Sequence, residues 1–285
     1  MNDATYAAAH DRLEHFRARD RAGIGELGRT LVFDHGRRTQ RAVLLFHGLS
    51  ASPAQFLGIA RALHERGHNV FVPRLPQHGR EDRMSEALAA MTAEQLKACL
   101  WDSLEVARGL GESVSVAGFS LGGLLTACAA QTQPVHKAVA IVPFLGFIWL
   151  PTRLGERLSQ FALSIPNRFM WWDPWMRERQ LPAHGYPRYS THALAQALQL
   201  ATEVMAAART QPPATTDITV AINVREPAVS NRAAVKLARL WQAHGVDARI
   251  ERFTDLPFAH DVIEPKRYPE IARRLMPRLV DLIDG

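Results

Sequence analysis

Between a short apolar run and a helical one, the chain writes Val114-Ser115-Val116-Ala117-Gly118-Phe119-Ser120-Leu121-Gly122-Gly123, and the pentad from Gly118 to Gly122 constrains the fold more than any other feature. It demands a sharp strand-to-helix turn. Composition alone puts Gly-x-Ser-x-Gly in roughly one chain in ten of this length, so the flanks decide its meaning. Ser113 to Ala117 reads as a strand, and Leu121, Leu124, Leu125 and Cys128 recur at helical spacing. A serine at such a corner sits in strained backbone with its hydroxyl lifted above the sheet. Glycines two residues to either side remove Cβ atoms that would strike a neighbouring strand or helix. The start of the following helix aims N–H groups at any negative charge forming nearby. Ser120 is thereby the candidate nucleophile.

A serine hydroxyl is a weak nucleophile at neutral pH, so the pentad needs a base, a carboxylate to orient it and donors for an oxyanion. Arg41 to Phe46 reads as a buried strand running into His47-Gly48-Leu49. Ser52-Pro53-Ala54-Gln55 then opens a helix, with Ser52 as N-cap and Gln55 closing a capping box. The His-Gly-Leu turn lies between a central strand and the first helix after it, where a second oxyanion N–H arises. The two donors are assigned to the backbone of Leu49 and Leu121. His47 precedes both helix and pentad and reads as a turn residue rather than a base.

In this arrangement the acid follows the nucleophile and the base comes last, near a strand end. His260 follows the alternation of Ala248 to Phe253 and precedes an amphipathic C-terminal helix. Of the other histidines, His64, His68, His136 and His244 fall on helices or their ends, His10, His15 and His35 lie upstream of the first core strand, and His78 sits in a turn. The strand Ile218 to Val224 is followed by Arg225-Glu226-Pro227-Ala228-Val229-Ser230 and a helix from about Asn231, and Glu226 is the only acid in that connection. Aspartate is commoner there, yet glutamate also orients a histidine. Asp217 belongs to the wrong end of the sheet, Asp255 and Asp261 flank His260 as caps or ion-pair partners, and no acid follows Ala138 to Val142.

With LLFHGLS (44–50), VPRLPQHGR (72–80), VAGFSLGG (116–123), REPAVS (225–230) and PFAHDVI (257–263) in this order, the chain resembles the alpha/beta-hydrolase superfamily over nearly all of residues 29 to 284. Within it the resemblance is to bacterial carboxylesterases and to monoacylglycerol-lipase-like and serine-aminopeptidase-like members. It implies an α/β fold: a mostly parallel central sheet, helices on both faces and a helical cap inserted between core strands. It also implies a catalytic triad of Ser120, Glu226 and His260, with Leu49 and Leu121 as oxyanion donors. The expected activity is hydrolysis of carboxylic esters through an acyl-enzyme on Ser120. The alternative is the same triad acting on thioester, amide or carbon–carbon bonds, since fold does not fix function. A non-catalytic ligand-binding protein of this fold usually carries a broken triad, and the intact Ser120 and His260 argue against that.

The 285 residues suffice for one large three-layer core. The expected division is a first core part over 1–142, a cap over 143–213 and a second core part over 214–285. The insertion holds four of the six tryptophans. Its Phe144, Phe147, Trp149, Trp171, Trp172 and Trp175 either form the cap's own small core or line an apolar acyl or aryl pocket above Ser120, and both readings stand. The charges Arg80, Glu81, Asp82 and Arg83 of the loop Pro73 to Ser85 read as solvated. Elsewhere the pattern predicts an N-terminal helix, a hairpin from Thr30 to Phe46, a helix capped by Thr92 with Leu96, Leu100, Leu104 and Ala107 on one face, and a final helix burying Ile271, Leu275, Leu279 and Leu282.

The N-terminal stretch is charged throughout without an apolar signal core, and no apolar run of about 18 residues suggests a membrane span. Cys99 and Cys128 both fall on expected helices, which argues against a structural disulfide and for a reducing cytoplasm. The net charge of +6 combines 30 Arg with 4 Lys and no dense basic block interleaved with aromatics. The expected partner is therefore a small ester with an apolar acyl group rather than nucleic acid. Neither zinc-ligand spacing, a dinucleotide glycine loop nor a P-loop occurs, so neither metal nor organic cofactor is expected.

Overall fold

The computed structural model describes residues 2–21, 23–149, 154–180 and 182–285. Its strands are β1 (Leu31–Phe33), β2 (Thr39–Phe46), β3 (Asn69–Val72), β4 (Gly111–Phe119), β5 (Lys137–Ile141), β6 (Phe169–Trp171), β7 (Arg188–Ser190), β8 (Asp217–Asn223) and β9 (Asp247–Phe253). Seven of them form one sheet in the order β1-β3-β2-β4-β5-β8-β9, parallel throughout except for β1 against β3. The central strands are nearly continuous apolar runs because helices cover both of their faces. β6 and β7 pair as a separate antiparallel ribbon.

The hairpin expected from Thr30 to Phe46 does not form. β2 is already paired on both edges, by β3 and β4, so β1 crosses over and pairs with the far edge of β3. The Asn69 side chain fixes that crossing, accepting from the His35 N–H at 2.8 Å and donating to the Arg37 carbonyl at 2.7 Å.

The helices are α1 (Asn2–Arg19), α2 (Leu57–Glu65), α3 (Ala93–Leu110), α4 (Leu121–Thr132), α5 (Gly155–Ser164), α6 (Thr191–Thr210), α7 (Asn231–Ala243) and α8 (Pro269–Asp284). Right-handed crossovers settle their faces. The step from β2 to β3 moves one way across the sheet, and every later step moves the other way. Hence α2 lies on one face and α3, α4, α6 and α7 lie on the opposite one. α8 returns to pack against α2, and α1 covers α3. The reversal of direction at β2 leaves a crevice beyond the carboxyl ends of β2 and β4, where ligand sites of such sheets form.

α3 opens on the expected capping box, Thr92 accepting from the Gln95 N–H while Gln95 accepts from the Thr92 N–H. α8 buries Leu275 and Leu279 as expected, but its face turns toward Ala272, Val280 and Ile283, leaving Ile271 and Leu282 half-buried. The groove between α2 and the sheet receives a face wider than one row of side chains. Residues 143–213 join β5 to β8 and hold α5, the ribbon and α6, so the insertion expected to be helical also contains strands. Residues 150–153 and residue 181 of it lie outside the described residues. α6 runs along α3, α4 and α7 as well as α5, as part of the helical layer of the body.

Candidate active site

β4 aligns with β2 at Leu45↔Ala117 and Phe46↔Gly118, which brings the carboxyl ends of both strands to the crevice. There Ser120 takes φ 55° and ψ −107°. Such a conformation costs a residue with a Cβ about 1–3 kcal/mol. Backbone bonds hold it in place: the Ser120 N–H donates to the Ile141 carbonyl at 3.0 Å, and its carbonyl accepts from the Leu124 and Phe144 N–H groups at 2.9 Å. The flanking glycines have no substitute. A Cβ on Gly118 would lie 2.2 Å from the Gly122 carbonyl oxygen, and one on Gly122 would lie 1.8 Å from the Phe46 carbonyl oxygen.

Ser120 Oγ lies 2.9 Å from His260 Nε2, and His260 Nδ1 lies 2.9 Å from Glu226 Oε1. An ionised carboxylate only accepts, so Nδ1 carries the hydrogen and Nε2 accepts from the Ser120 hydroxyl. The Glu226 side chain is fully buried while the imidazole is 26% exposed. Glu226 Oε1 accepts two further bonds, from the N–H groups of Ala228 at 2.8 Å and Val229 at 3.2 Å, whereas Oε2 is buried without a partner. Asp255 instead pairs with Arg278 at the surface.

Sequence reasoning missed the residue that shapes both loops. Asn223, buried at the end of β8, donates through Nδ2 to the Pro257 and Ala259 carbonyls at 3.0 Å, forming the loop that carries His260. Its Oδ1 accepts from the Arg225 N–H at 3.0 Å, and its carbonyl accepts from the Glu226 N–H at 3.1 Å. The one available signal was an asparagine closing a strand just before the acid, which any turn asparagine shares.

The Gly48 carbonyl accepts from the Ala51 N–H at 3.2 Å and from His47 Nδ1 at 2.9 Å. His47 Nε2 accepts from the Leu75 N–H at 3.2 Å, so Nδ1 is the protonated nitrogen. Burial, helped by the neighbouring His78, holds the His47 pKa well below its ordinary value, and the ring is neutral. In a trans peptide the N–H points opposite the C=O. Pinning the Gly48 carbonyl therefore turns the Leu49 N–H away from His47. The Leu121 N–H, first in α4, has no acceptor inside its helix. Among the described residues neither N–H has a hydrogen-bond partner, and both residues border the cavity above Ser120.

The capping box expected at Ser52 is absent. Pro53–Phe56 is a short 3-10 turn, Ser52 Oγ donates to the Leu27 carbonyl at 2.7 Å, and Gln55 Oε1 accepts from the Gly48 N–H at 2.9 Å. Ser52 Oγ also lies 3.0 Å from His184 Nδ1, and His184 Nε2 lies 2.8 Å from Glu264. This second Ser-His-Glu chain is a strut, because Ser52 is fully buried and its proton is committed to Leu27.

A cavity of about 740 Å³ opens over Ser120 and His260. Of the six aromatics expected at a pocket, Phe144, Phe147, Trp149 and Trp172 line it. Trp171 and Trp175 do not. Successive residues of a strand point to opposite faces, so Met170 and Trp172 face the cavity while Phe169 and Trp171 lie under the Arg188 guanidinium at 5.0 and 5.8 Å. Trp175 is 95% exposed. Phe258, two residues before His260, and Leu194 and Leu198, one turn apart on α6, complete the wall and were not foreseen. Arg80, Glu81 and Asp82 are exposed, but Arg83 is not a solvated charge. Its guanidinium donates to the carbonyls of Gly185 and Gln180 at 2.8 Å and of Pro182 at 3.2 Å, a use that suits its forked donors. Among the described residues no helix is long and apolar enough to cross a membrane.

A family model described as alpha/beta hydrolase matches residues 43–279. A carboxylesterase of Bacillus subtilis (strain 168) is 31% identical over 130 residues, 45% of this chain and 50% of that protein, so the chain spans about half the length of this relative. Among solved structures the chain is similar to one of the metagenome-derived lipolytic enzymes LipS and LipT, at TM-score 0.65 and 17% identity over 90% of this chain and 99% of that one. It is also similar to a monoacylglycerol lipase of Paleococcus ferrophilus, at TM-score 0.63 and 18% identity over 89% and 98%. At such identities the likeness concerns the fold.

Proposed function

The chain belongs to the alpha/beta hydrolase family, and from that premise we propose that it is a serine hydrolase cleaving carboxylic esters through an acyl-enzyme on Ser120. The observation that carries this reading is the unbroken chain from Glu226 Oε1 through His260 to Ser120 Oγ, with 2.9 Å at each contact, on a serine held at φ 55°. As Ser120 Oγ attacks the ester carbonyl carbon, His260 Nε2 takes its proton. The tetrahedral oxyanion forms against the N–H groups of Leu49 and Leu121. Collapse breaks the bond to the alcohol oxygen, which leaves with the proton from Nε2. Water, giving its proton to Nε2, then attacks the acyl carbon, and the second collapse returns that proton to Ser120 as the acid departs. Glu226 holds the productive tautomer and stabilises the imidazolium in both halves.

The aromatic and aliphatic wall supports neutral, apolar acyl groups, and the carboxylesterase and lipolytic names among the relatives point to esters before thioesters or amides. Of residues 143–213, between body segments 1–142 and 214–285, α5 and the ribbon of β6 and β7 act as the cap, while α6 belongs to the helical layer of the body. Two free, buried cysteines fit a reducing compartment such as the cytoplasm. A fluorophosphonate is expected to label Ser120, and Ser120→Ala is expected to lower kcat about a million-fold in a folded protein. Labelling of a different serine, found by peptide mapping, overturns the assignment. Aryl esters of graded chain length, beside thioester and aminoacyl-amide probes, should give a kcat/KM that rises with apolar chain length. A preference for an acidic acyl group refutes the pocket reading.

A further inference from the structure

Gly48 has no side chain to restrict its backbone, yet the direction of the Leu49 N–H depends on it. The carbonyl side of Gly48 is pinned by His47 and Ala51, and its N–H side is pinned by Gln55, whose Oε1 accepts at 2.9 Å. The same amide reaches the other way. Gln55 Nε2 donates to Asp261 Oδ1 at 3.3 Å, and Asp261 is the residue next to His260. Gln55 is buried at 6% exposure within the turn Pro53–Phe56, and its bridge to Asp261 is part-buried at the wall of the cavity. An amide has one accepting end and one donating end. The contact with Asp261 therefore keeps Oε1 toward Gly48, where the reversed amide would oppose two donors. Asp261 is half-buried at the cavity wall, and desolvation there raises its pKa.

We propose that Gln55 is a positioning residue for the reaction proposed above, tying the loop that carries His260 to the turn that presents the Leu49 N–H. Base and oxyanion donor thereby keep their relative placement as charge builds on the substrate. The inference rests on the serine-hydrolase reading and adds a residue that bonds to neither Ser120 nor His260. A donor that has lost its aim costs little while the substrate is a neutral ester and much once the oxyanion forms. Loss of Gln55 is therefore felt in kcat before KM.

The test uses the full chain with Gln55→Met, which keeps the length of the side chain and removes both hydrogen bonds. With rates normalised by active-site titration, kcat on the best aryl ester should fall roughly 10- to 100-fold, with KM within about twofold. Affinity for a trifluoromethyl ketone, whose adduct with Ser120 presents an oxyanion, should fall by the same factor. Adding Asp261→Asn to Gln55→Met should cause no further loss, because the two act through one bridge. Unchanged kcat and ketone affinity in Gln55→Met, a loss that vanishes on normalisation, or an additive double variant each overturns the proposal. Fluorophosphonate labelling separates the two readings: Ser120 labelled in the wild type with Gln55→Met unimpaired removes only the role of Gln55. An unlabelled Ser120 together with an active Ser120→Ala removes the hydrolase mechanism itself.

Discussion

A glutamate beside His260 has one more methylene to place than an aspartate, and the turn after β8 accommodates it by bringing the Ala228 and Val229 N–H groups onto the oxygen that faces His260. All three hydrogen bonds thus converge on one oxygen, while the other is buried without a partner. Glu226→Gln should keep fold and substrate binding and lower kcat on the order of 10⁴-fold, since an amide here favours the wrong tautomer. Glu226→Asp should retain much more, and Asp255→Asn, which breaks only the pair with Arg278, should leave kcat unchanged. Steady-state kinetics on the three variants decide the matter, and near-normal turnover in Glu226→Gln refutes the role. At this scale the meeting of Ser120, His260 and Glu226 was legible because a serine in a tight glycine-flanked turn, a glutamate after a strand and a late histidine stand in an order that anticipates it. Asn223 and Gln55 were not. An amide at a strand end or in a turn has many local uses, and theirs arise only when distant loops meet.

Among the elements, the turn from β4 into α4 stores strain at one residue. Glycine adopts positive φ without penalty, whereas alanine keeps the Cβ that makes the conformation costly. Ser120→Gly should therefore be more stable than Ser120→Ala by about 1 kcal/mol, although both lack the hydroxyl. Urea unfolding of the two variants measures the difference, and equal stabilities contradict a strained corner. The strands and helices of the body were readable from continuous apolar runs and helical periodicity. The partner of β1 was not, because a three-residue strand carries no mark of which edge it joins and β2 had both edges filled from elsewhere in the chain. The ribbon of β6 and β7 escaped for the same reason: three residues per strand are too few to show alternation against an aromatic-rich background.

For the molecule as a whole, two histidines are folded away in neutral form behind the crevice. Burial lowers the His78 pKa to about 4, and burial together with His78 holds His47 well below its ordinary value. In the unfolded chain both titrate near about 6.5. Below that pH the unfolded state takes up protons that the folded state refuses, so the stability present above pH 6.5 is lost as the pH falls. Between pH 7 and pH 5 His78 alone accounts for about 2 kcal/mol of that loss, and His47 adds to it. Urea midpoints at the two pH values should separate accordingly, and midpoints that coincide show that the rings are not buried neutral.

The insertion is fastened to the body at its first root and again midway along. At the first, Phe147 pairs with Val229 in the acid turn, and the Ser230 N–H donates to the Gly146 carbonyl at 2.9 Å. Midway, the Tyr186 N–H donates to the Ser50 carbonyl at 2.7 Å beside the turn of Gly48 and Leu49, and Arg83 holds the carbonyls of Glu178, Gln180, Pro182 and Gly185. Lifting the described part of this roof breaks those bonds or drags with it the turns that hold Glu226 and Leu49. Trp149, Trp172 and Phe258 line the cavity and are each more than two-fifths exposed. Exposed side chains of this kind change rotamer far faster than domains hinge, so a change of shape at this end of the chamber need not wait for the insertion to move.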